Sequence, residues 1–437
     1  MPAGQANVNL ADIHLSLFAQ HSTNKVKRAL RGDNIEAPVS RAQKRKFANV
    51  MRAPRACFEG ISVKATSGQP VTFYAGNIGK ILEYTASHIP TFRNKIYSLE
   101  KEETHKIILT MDESTSGNVL QVGSTLKMAL WYFYISNFNE MHRPSAWLPL
   151  AAIPSKDLQF VAGGMSAVAA ALLRFIAQQS IEEGIWIQQV CRKFRIWSLV
   201  ADYDALRMVY NSKGAAASKP CMQCKNICGN WMSLPETDPY FHSIDCADFR
   251  NFDMISNAEL HHAFDTLKPN LATWRKKQRE NTEKGLGYNL DPHGLLHCPI
   301  ARNMLPVRQV LYDTCHNYFA NGIGSQEIIL FQEALTKHTA VTREAIQKSV
   351  CEVNWKCSLD KLNSQAARKK LFQAAYFTGT VHKGSATHCW YLLPLLCFYG
   401  EQFLCPALQM AFDSFIVLQN VTMRQCTDNF SKDPMNT

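Results

Sequence analysis

The sequence predicts an α/β protein in which a mixed β-sheet precedes a cysteine-containing insertion and a mostly helical C-terminal part. The first observation is a series of apolar and aromatic runs, the first and last of which end at Asp112 and Asp202. The second is the motif Cys221-Met-Gln-Cys224, which follows Asp202 closely and has the spacing of a metal-binding knuckle. Together they predict acidic and thiolate metal ligands near one another.

Composition restricts the class of protein. The chain has 437 residues, of which 46% are hydrophobic and 19% charged, values that exclude a disordered protein and allow two or three domains. The 14 cysteines are scattered, which favours reduced thiols over a disulfide framework. No secretory signal and no membrane-spanning run is recognisable, so we expect an intracellular protein.

The basic charge is concentrated near the N-terminus. Ten Lys and Arg residues lie between His21 and Arg55, against two acids. This pattern is typical of a DNA-binding arm, with Lys44, Arg45 and Lys46 as its densest cluster, although a solvated, partly disordered leader would look the same. The cluster Arg41–Lys46 also fits a nuclear import signal.

The first 212 residues divide into three predicted segments. Residues 1–60 form the basic arm, and residues 61–105 form a small lead-in domain with a strand at Val71–Tyr74 and a helix at Ile78–His88. Residues 106–212 form the ordered core. Its expected strands lie near 107–112, 126–136, 146–153 and 194–202, and its helix near 164–179.

Three strands, a helix and a fourth strand are the opening order of the RNase H-like fold. In that fold the first acid lies on strand one and the second at the end of strand four, the places of Asp112 and Asp202. Paired carboxylates are ligands for Mg²⁺ or Mn²⁺. Glu113 should face away from Asp112, and Asp204 should lie past the strand end. The alternative is that the two aspartates merely end their strands.

Residues 213–305 are predicted to be an insertion that holds zinc. Cys221 and Cys224 supply two of the four ligands that a tetrahedral zinc site needs. His242 and Cys246 have the spacing of a second ligand pair and could complete the site locally. Residues 306–437 are predicted to be helical, with helices at Val307–Ala320, Gln326–Thr336, Thr342–Val350 and Gln365–Ala375, and one from His388.

Four segments in this order resemble DDE/D-type DNA transposases of the CACTA/Plavaka-like group and their genome-resident relatives. They are Ile107–Asp112, Ala201–Ala205 with Lys219–Asn226, Tyr312–His316, and His382–Trp390. The resemblance implies an RNase H-like fold, DNA as partner, possible homo-oligomers, and Mg²⁺ or Mn²⁺ at Asp112 and Asp202. It also implies structural zinc, with His316 as a ligand instead of a local pair.

The chain departs from this family at the third acid. Where the family carries Glu on its last helix, this chain has Thr387-His388, so His388 occupies the position of the expected third catalytic residue. A neutral imidazole supplies less charge than a carboxylate and favours softer metals. We therefore expect a transposase-derived DNA-binding protein with a degenerate catalytic site. An active transposase or nuclease is the first alternative, and a zinc-stapled nucleic-acid-binding module without catalysis is the second.

Overall fold

The computed structural model describes residues 55–115, 127–141, 146–214, 217, 219–225, 253–313, 318–319, 322–352, 365–384 and 386–428. The chain divides into two compact units, Met1–Leu311 and Tyr312–Thr437. We call them the sheet unit and the helical unit.

The sheet unit is built on a mixed β-sheet. Its strands are β1 (Phe58–Val63), β2 (Val71–Gly76), β3 (Thr104–Thr115), β4 (Lys127–Ile135), β5 (Leu148–Pro154), β6 (Ile185–Ile187), β7 (Val190–Ala201) and β8 (Val310–Tyr312). They lie in the order β1-β2-β5-β4-β3-β7-β6, and β8 also pairs with β7. Strands β3 and β7 are parallel, and the pairs β1–β2, β2–β5, β3–β4, β4–β5 and β6–β7 are antiparallel.

The four expected core strands are confirmed as β3, β4, β5 and β7, and the expected helix near 164–179 is confirmed at Gly164–Ala177. The strand and helix expected after residue 70 are also present, at Val71–Gly76 and Ile78–His88. Strands β1 and β2 join the same sheet through β5.

Eight α-helices are described in the sheet unit. They are α1 (Ile78–His88), α2 (Pro90–Ser98), α3 (Ser155–Leu158), α4 (Gly164–Ala177), α5 (Tyr203–Tyr210), α6 (Asn257–Leu267), α7 (Lys276–Leu286) and α8 (Pro299–Met304). Side chains define several of their starts: Asn77 accepts a hydrogen bond from the N–H of Lys80, and Ser256 and Glu259 form a capping box. Residues 253–305 of the expected insertion are therefore largely helical.

Successive side chains of β3 point alternately to a buried face and to a half-exposed face of the sheet. Ile107, Leu109 and Met111 are buried, whereas Ile108 and Thr110 between them are only partly covered. Most of α4 is buried as well, as its Ala- and Leu-rich sequence predicts. The half-exposed face is the one that carries Asp112.

The helical unit contains α9 (Ile323–Thr339), α10 (Arg343–Glu352), α11 (Gln365–Leu371), α12 (Ala386–Gln402) and α13 (Pro406–Asp428). Helices α9, α12 and α13 pack on one another around an apolar core in which the rings of Phe331 and Phe415 stack at 4.5 Å. No described helix is both long and apolar enough to cross a membrane.

The helix expected at Val307–Ala320 is a wrong prediction for residues 307–313, whereas residues 314–317 and 320 lie outside the described residues and residues 318–319 are helical. The segment forms a 3₁₀ turn at Val307–Gln309 and then the short strand β8. Pairing with β7 buries Val310, and the β-branched and aromatic residues of β8 suit a strand better than a helix. Tertiary pairing therefore outweighs the apolar periodicity on which the helix prediction depended.

Candidate functional site

The two predicted acids belong to adjacent parallel strands: Asp112 lies within β3, three residues before its end, and Asp202 directly follows β7. Thr110 of β3 pairs with Val200 of β7. Extending that register by two residues, one past the end of β7, brings Asp112 beside Asp202. Neighbouring strands are about 4.8 Å apart, and paired residues point to the same face. Two carboxylates at that separation can reach a single cation whose oxygen ligands lie at about 2.0–2.1 Å.

A β-bulge at Trp197 produces this alignment. The register between β3 and β7 shifts by one residue after Ile107, because Trp197 is an extra residue in β7. Without the bulge, Asp112 would lie beside Ala201, and Asp202 would project from the opposite face of the sheet. The bulge therefore places both acids on the half-exposed face.

Asp202 also begins the helix that follows the strand. Its carboxylate accepts a hydrogen bond of 2.6 Å from the backbone N–H of Ala205, which makes it the N-cap of α5. The positive end of the helix dipole stabilises a negative charge at this position. Because a carboxylate has two oxygens, one can cap the helix while the other binds a cation.

The two neighbouring acids have other contacts, as expected. Glu113 follows Asp112 along β3 and forms ionic and hydrogen-bond contacts with Lys127 and, at 2.7 Å, with the hydroxyl of Ser155. Asp204 lies in the first turn of α5. Its side chain is 79% exposed and pairs with Arg207 at 3.3 Å. Asp112 and Asp202 are thus the pair that shares an edge and a face.

Tyr132 is a residue near the acids that the sequence did not identify. It pairs with Thr110, two residues before Asp112, and so lies on the same face. Burial, followed by the negative charge of Asp112, raises the pKa of Tyr132 above its usual range. The phenol is therefore protonated at neutral pH and can donate a hydrogen bond. Only the β3–β4 register could have singled it out from the aromatic run of β4.

The predicted zinc pair is brought together. The thiol of Cys224 lies 2.6 Å from the sulfur of Cys221 and donates to it. This hydrogen bond, together with backbone N–H donors and the charge of Lys219, lowers the pKa of Cys221 to about 6 although burial opposes the shift. Cys221 is therefore a thiolate at neutral pH, the form that binds metal. Tetrahedral coordination at ~2.3 Å requires sulfurs about 3.8 Å apart, so zinc would separate them by about 1 Å.

The segment that carries the two cysteines, residues 219–225, is held by the sheet unit beside the second acid. The hydroxyl of Tyr203, the residue after Asp202, donates to the carbonyl of Pro220 at 2.8 Å. The side-chain amide of Gln223 donates to the carbonyls of Val307 and Val310 at 3.0 and 3.1 Å. Residues 219–225, which we call the cysteine knuckle, therefore have a defined place next to the acid pair.

The remaining predicted zinc and DNA ligands cannot be placed. His242, Cys246, His316, Lys44, Arg45 and Lys46 lie outside the described residues. Within the described ranges, no group of three or more His, Cys, Asp or Glu side chains is arranged to hold a metal ion. The cysteine knuckle thus has the chemistry for two zinc ligands, and the described residues supply no complete set.

His388 lies near the start of α12 in the helical unit and is half-buried. Its ring contacts the ring of Tyr376, with centroids 5.3 Å apart. Burial and then the charge of Lys370 lower the pKa of His388, so its imidazole is neutral at pH 7. Nearby, Nδ1 of the buried His382 lies 3.2 Å from the sulfur of Cys389. The His382–Trp390 segment therefore contributes to the packing of the helical unit.

Comparison with known proteins adds no assignment. No protein-family model matches the chain, and no curated protein matches it.

Proposed function

We propose that this chain is a transposase-derived DNA-binding protein whose DDE-type site for metal-dependent strand transfer is degenerate. The observation that carries the proposal is the parallel pairing of β3 with β7, which sets Asp112 beside Asp202 on one face. If the two acids served only to end their strands, there would be no reason for them to lie on the same face of the sheet or for β7 to contain the bulge that puts them there. The proposed partner is DNA, and the proposed location is the nucleus.

The strand order supports an RNase H-like core. Strands β3, β4 and β5 are successive antiparallel neighbours, and β7, reached through α4, returns parallel to β3 on its other side. The short strand β8 then pairs with β7. This connectivity, with acids on the first and fourth of these strands, is what the resemblance to DDE-type transposases leads one to expect.

Two carboxylates are a partial ligand set for Mg²⁺. A two-metal site, when loaded, activates a water or 3′-hydroxyl and stabilises the leaving oxygen, and it needs several anionic oxygen ligands. The resemblance assigns the third acid to the position of His388, whose imidazole is neutral. Asp112 and Asp202 would therefore bind Mg²⁺ weakly, and cleavage by this chain would be slow or absent.

A zinc-stapled nucleic-acid-binding module without catalysis is the second candidate. The converged sulfurs of Cys221 and Cys224 and the low pKa of Cys221 support the zinc site that this candidate requires. The two candidates agree on DNA binding and on zinc. They differ in whether Asp112 and Asp202 bind a divalent cation.

The test is nicking of supercoiled DNA by the full chain with Mg²⁺ or Mn²⁺, alongside a DNA-binding assay. We expect salt-sensitive DNA binding, no strong nicking with Mg²⁺, and at most slow nicking with Mn²⁺, which tolerates nitrogen ligands better than Mg²⁺ does. Any such nicking should be lost in Asp112→Asn and retained in Glu113→Gln, a matched variant at the next residue of β3.

Three results would change the assignment. Robust Mg²⁺-dependent cleavage that Asp112→Asn abolishes would support an active enzyme. Robust cleavage that survives Asp112→Asn would show that the acid pair is not the site. Failure of the full chain to bind DNA at low salt would remove nucleic acid as the partner.

A further inference from the structure

The half-exposed face of the sheet carries a second cluster of side chains, away from the acids. It consists of two tryptophans and three cations from β3, β6 and β7. They are Lys106, Trp186, Lys193, Arg195 and Trp197, and we call them the basic tryptophan surface. Lys106 precedes Asp112 by six residues of β3, a distance of about 20 Å along an extended strand.

Strand register places these side chains on one face. Lys106 pairs with Arg195, Lys193 pairs with Thr104, and Trp186 pairs with Cys191. Paired residues point to the same side of a sheet, and alternate residues of one strand share a side. Trp197 lies on this side as well, because its ring contacts the charged groups of Lys106 and Arg195.

Trp197 holds two cations close together. The ammonium of Lys106 lies 4.0 Å from the centre of its ring, and the guanidinium carbon of Arg195 lies 4.7 Å from it. The ring attracts both cations through its quadrupole without neutralising either. Two cations held beside one ring repel each other, and an anion that contacts both relieves that repulsion.

Trp186 presents an aromatic ring to solvent on a braced hairpin. Its side chain is 71% exposed, which is unusual for the largest apolar residue. The hairpin between β6 and β7 is fixed to α1, since Gln188 contacts the carboxylate of Glu83 and donates to the hydroxyl of Ser87 at 2.7 Å. The ring is thus displayed by a backbone that is already ordered, which lowers the entropic cost of binding.

The charges on this face select the partner. Among the described residues of β3, β6 and β7, the face carries three cations and no acid before Asp112. The acids Glu182 and Glu183 lie in the turn before β6, not on the strands. Cations alternating with aromatic rings suit a chain of phosphates with flat, unpaired bases, because phosphates bind the cations and bases stack on the rings.

We propose that the basic tryptophan surface binds single-stranded nucleic acid, with a phosphate between Lys106 and Arg195 and a base stacked on Trp186. The choice of nucleic acid as partner rests on the proposed function. The contacts do not involve a metal, however, and they lie apart from the acid pair on the same face. A strand bound here runs along β3 and β7 towards Asp112 and Asp202.

The experiment is fluorescence anisotropy of a labelled oligothymidylate and of a labelled duplex, titrated with the full chain in buffer that contains no added Mg²⁺ or Mn²⁺ and no chelator, so that bound zinc is retained. Trp186→Ala should weaken single-strand binding about tenfold, the effect of losing one stacked base, and should leave duplex binding unchanged. Trp186→Phe, which retains an aromatic ring, should restore most of the affinity.

The cations are tested by salt dependence. The double variant Lys106→Gln/Arg195→Gln should lower the slope of log affinity against log salt by about 0.7 for the single strand, since the one phosphate held between the two cations is lost. The matched control is Lys64→Gln/Lys80→Gln, which removes the same charge from exposed lysines elsewhere in the sheet unit. It should change the slope by less than half as much.

Three outcomes would overturn the proposal that this surface binds single-stranded nucleic acid. The first is that Trp186→Ala binds the single strand as tightly as the unmodified chain. The second is that Trp186→Ala weakens duplex binding as much as single-strand binding. The third is that the Lys64→Gln/Lys80→Gln control lowers the salt slope as much as Lys106→Gln/Arg195→Gln does. Because no Mg²⁺ or Mn²⁺ is added, a defective acid pair cannot cause any of these results. Glu113→Gln, at a position that faces away from Asp112, should bind the oligothymidylate like the unmodified chain. Nicking by Asp112→Asn is measured separately with Mn²⁺, so failure of the metal site and failure of this surface are distinguishable.

Discussion

Asp202 has two roles in this structure, and two substitutions separate them. Its carboxylate caps α5 through the 2.6 Å hydrogen bond from Ala205, and the same carboxylate lies beside Asp112. Asn caps a helix nearly as well as Asp but has no charge, whereas Ala neither caps nor binds a cation. Asp202→Asn should therefore affect only cation binding, and Asp202→Ala should affect both cation binding and the helix.

The magnitudes follow from the contacts. Losing an N-cap costs about 1 kcal/mol, which corresponds to roughly fivefold faster opening of the helix. Hydrogen–deuterium exchange of residues 203–210 should accelerate by about that factor in Asp202→Ala and by less than twofold in Asp202→Asn. Removing one of two anionic ligands should weaken Mn²⁺ binding, measured by water proton relaxation, by tenfold or more in both variants.

Asp204→Asn is the control for both measurements. Asp204 is two residues away in the same first turn, exposed and paired with Arg207, so neither exchange nor Mn²⁺ binding should change appreciably. Equal acceleration of exchange in the Asn and Ala variants of Asp202 would show that the cap is not what orders α5. Wild-type Mn²⁺ affinity in Asp202→Asn would refute the shared cation site.

Four further outcomes are expected. His388→Glu, which supplies the acid that the resemblance assigns to that position, should raise Mn²⁺-dependent nicking, and no gain would argue against that assignment. Purified protein should contain about one zinc per chain by metal analysis. The double variant Cys221→Ser/Cys224→Ser should lose both the zinc and some stability, because a structural zinc contributes folding free energy. Finding no zinc in protein prepared without chelator would contradict this prediction. Deleting residues 1–55 should remove most of the salt dependence of duplex binding, and an unchanged slope would place the contacts elsewhere. Burial and then the charge of Lys268 lower the pKa of His297 in the folded protein to about 4, against 6.5 when exposed. As pH falls, the unfolded chain takes up the proton first, so the free energy of unfolding should fall by up to about 3 kcal/mol between pH 6.5 and 4. In urea denaturation, His297→Leu should show a smaller fall, and an equal fall would exclude this histidine as the cause.

The sequence predicted the core strands because their apolar runs are long and are interrupted by recognisable turns. It also singled out Asp112 and Asp202, because each acid follows an apolar run, although β3 continues past Asp112 to Thr115. The sequence could not predict that the two acids share a face, because the one-residue bulge at Trp197 is defined only by the pairing of β7 with β3. The strand β8 was mistaken for a helix for a similar reason: three residues carry too little periodicity to reveal their partner.

The cysteine knuckle is also hydrogen-bonded to residues 253–255, which follow it in the described part of the chain. The backbone N–H of Lys225 donates to the carbonyl of Asp253 at 2.7 Å, and that of Ile255 donates to the carbonyl of Gln223 at 2.9 Å. These two bonds tie the cysteine knuckle to the residues that lead into α6, whose N-cap is Ser256. The position of Cys221 and Cys224 therefore depends on the start of α6 as well as on the sheet, so a change that loosened α6 would be felt at the metal-binding thiolates.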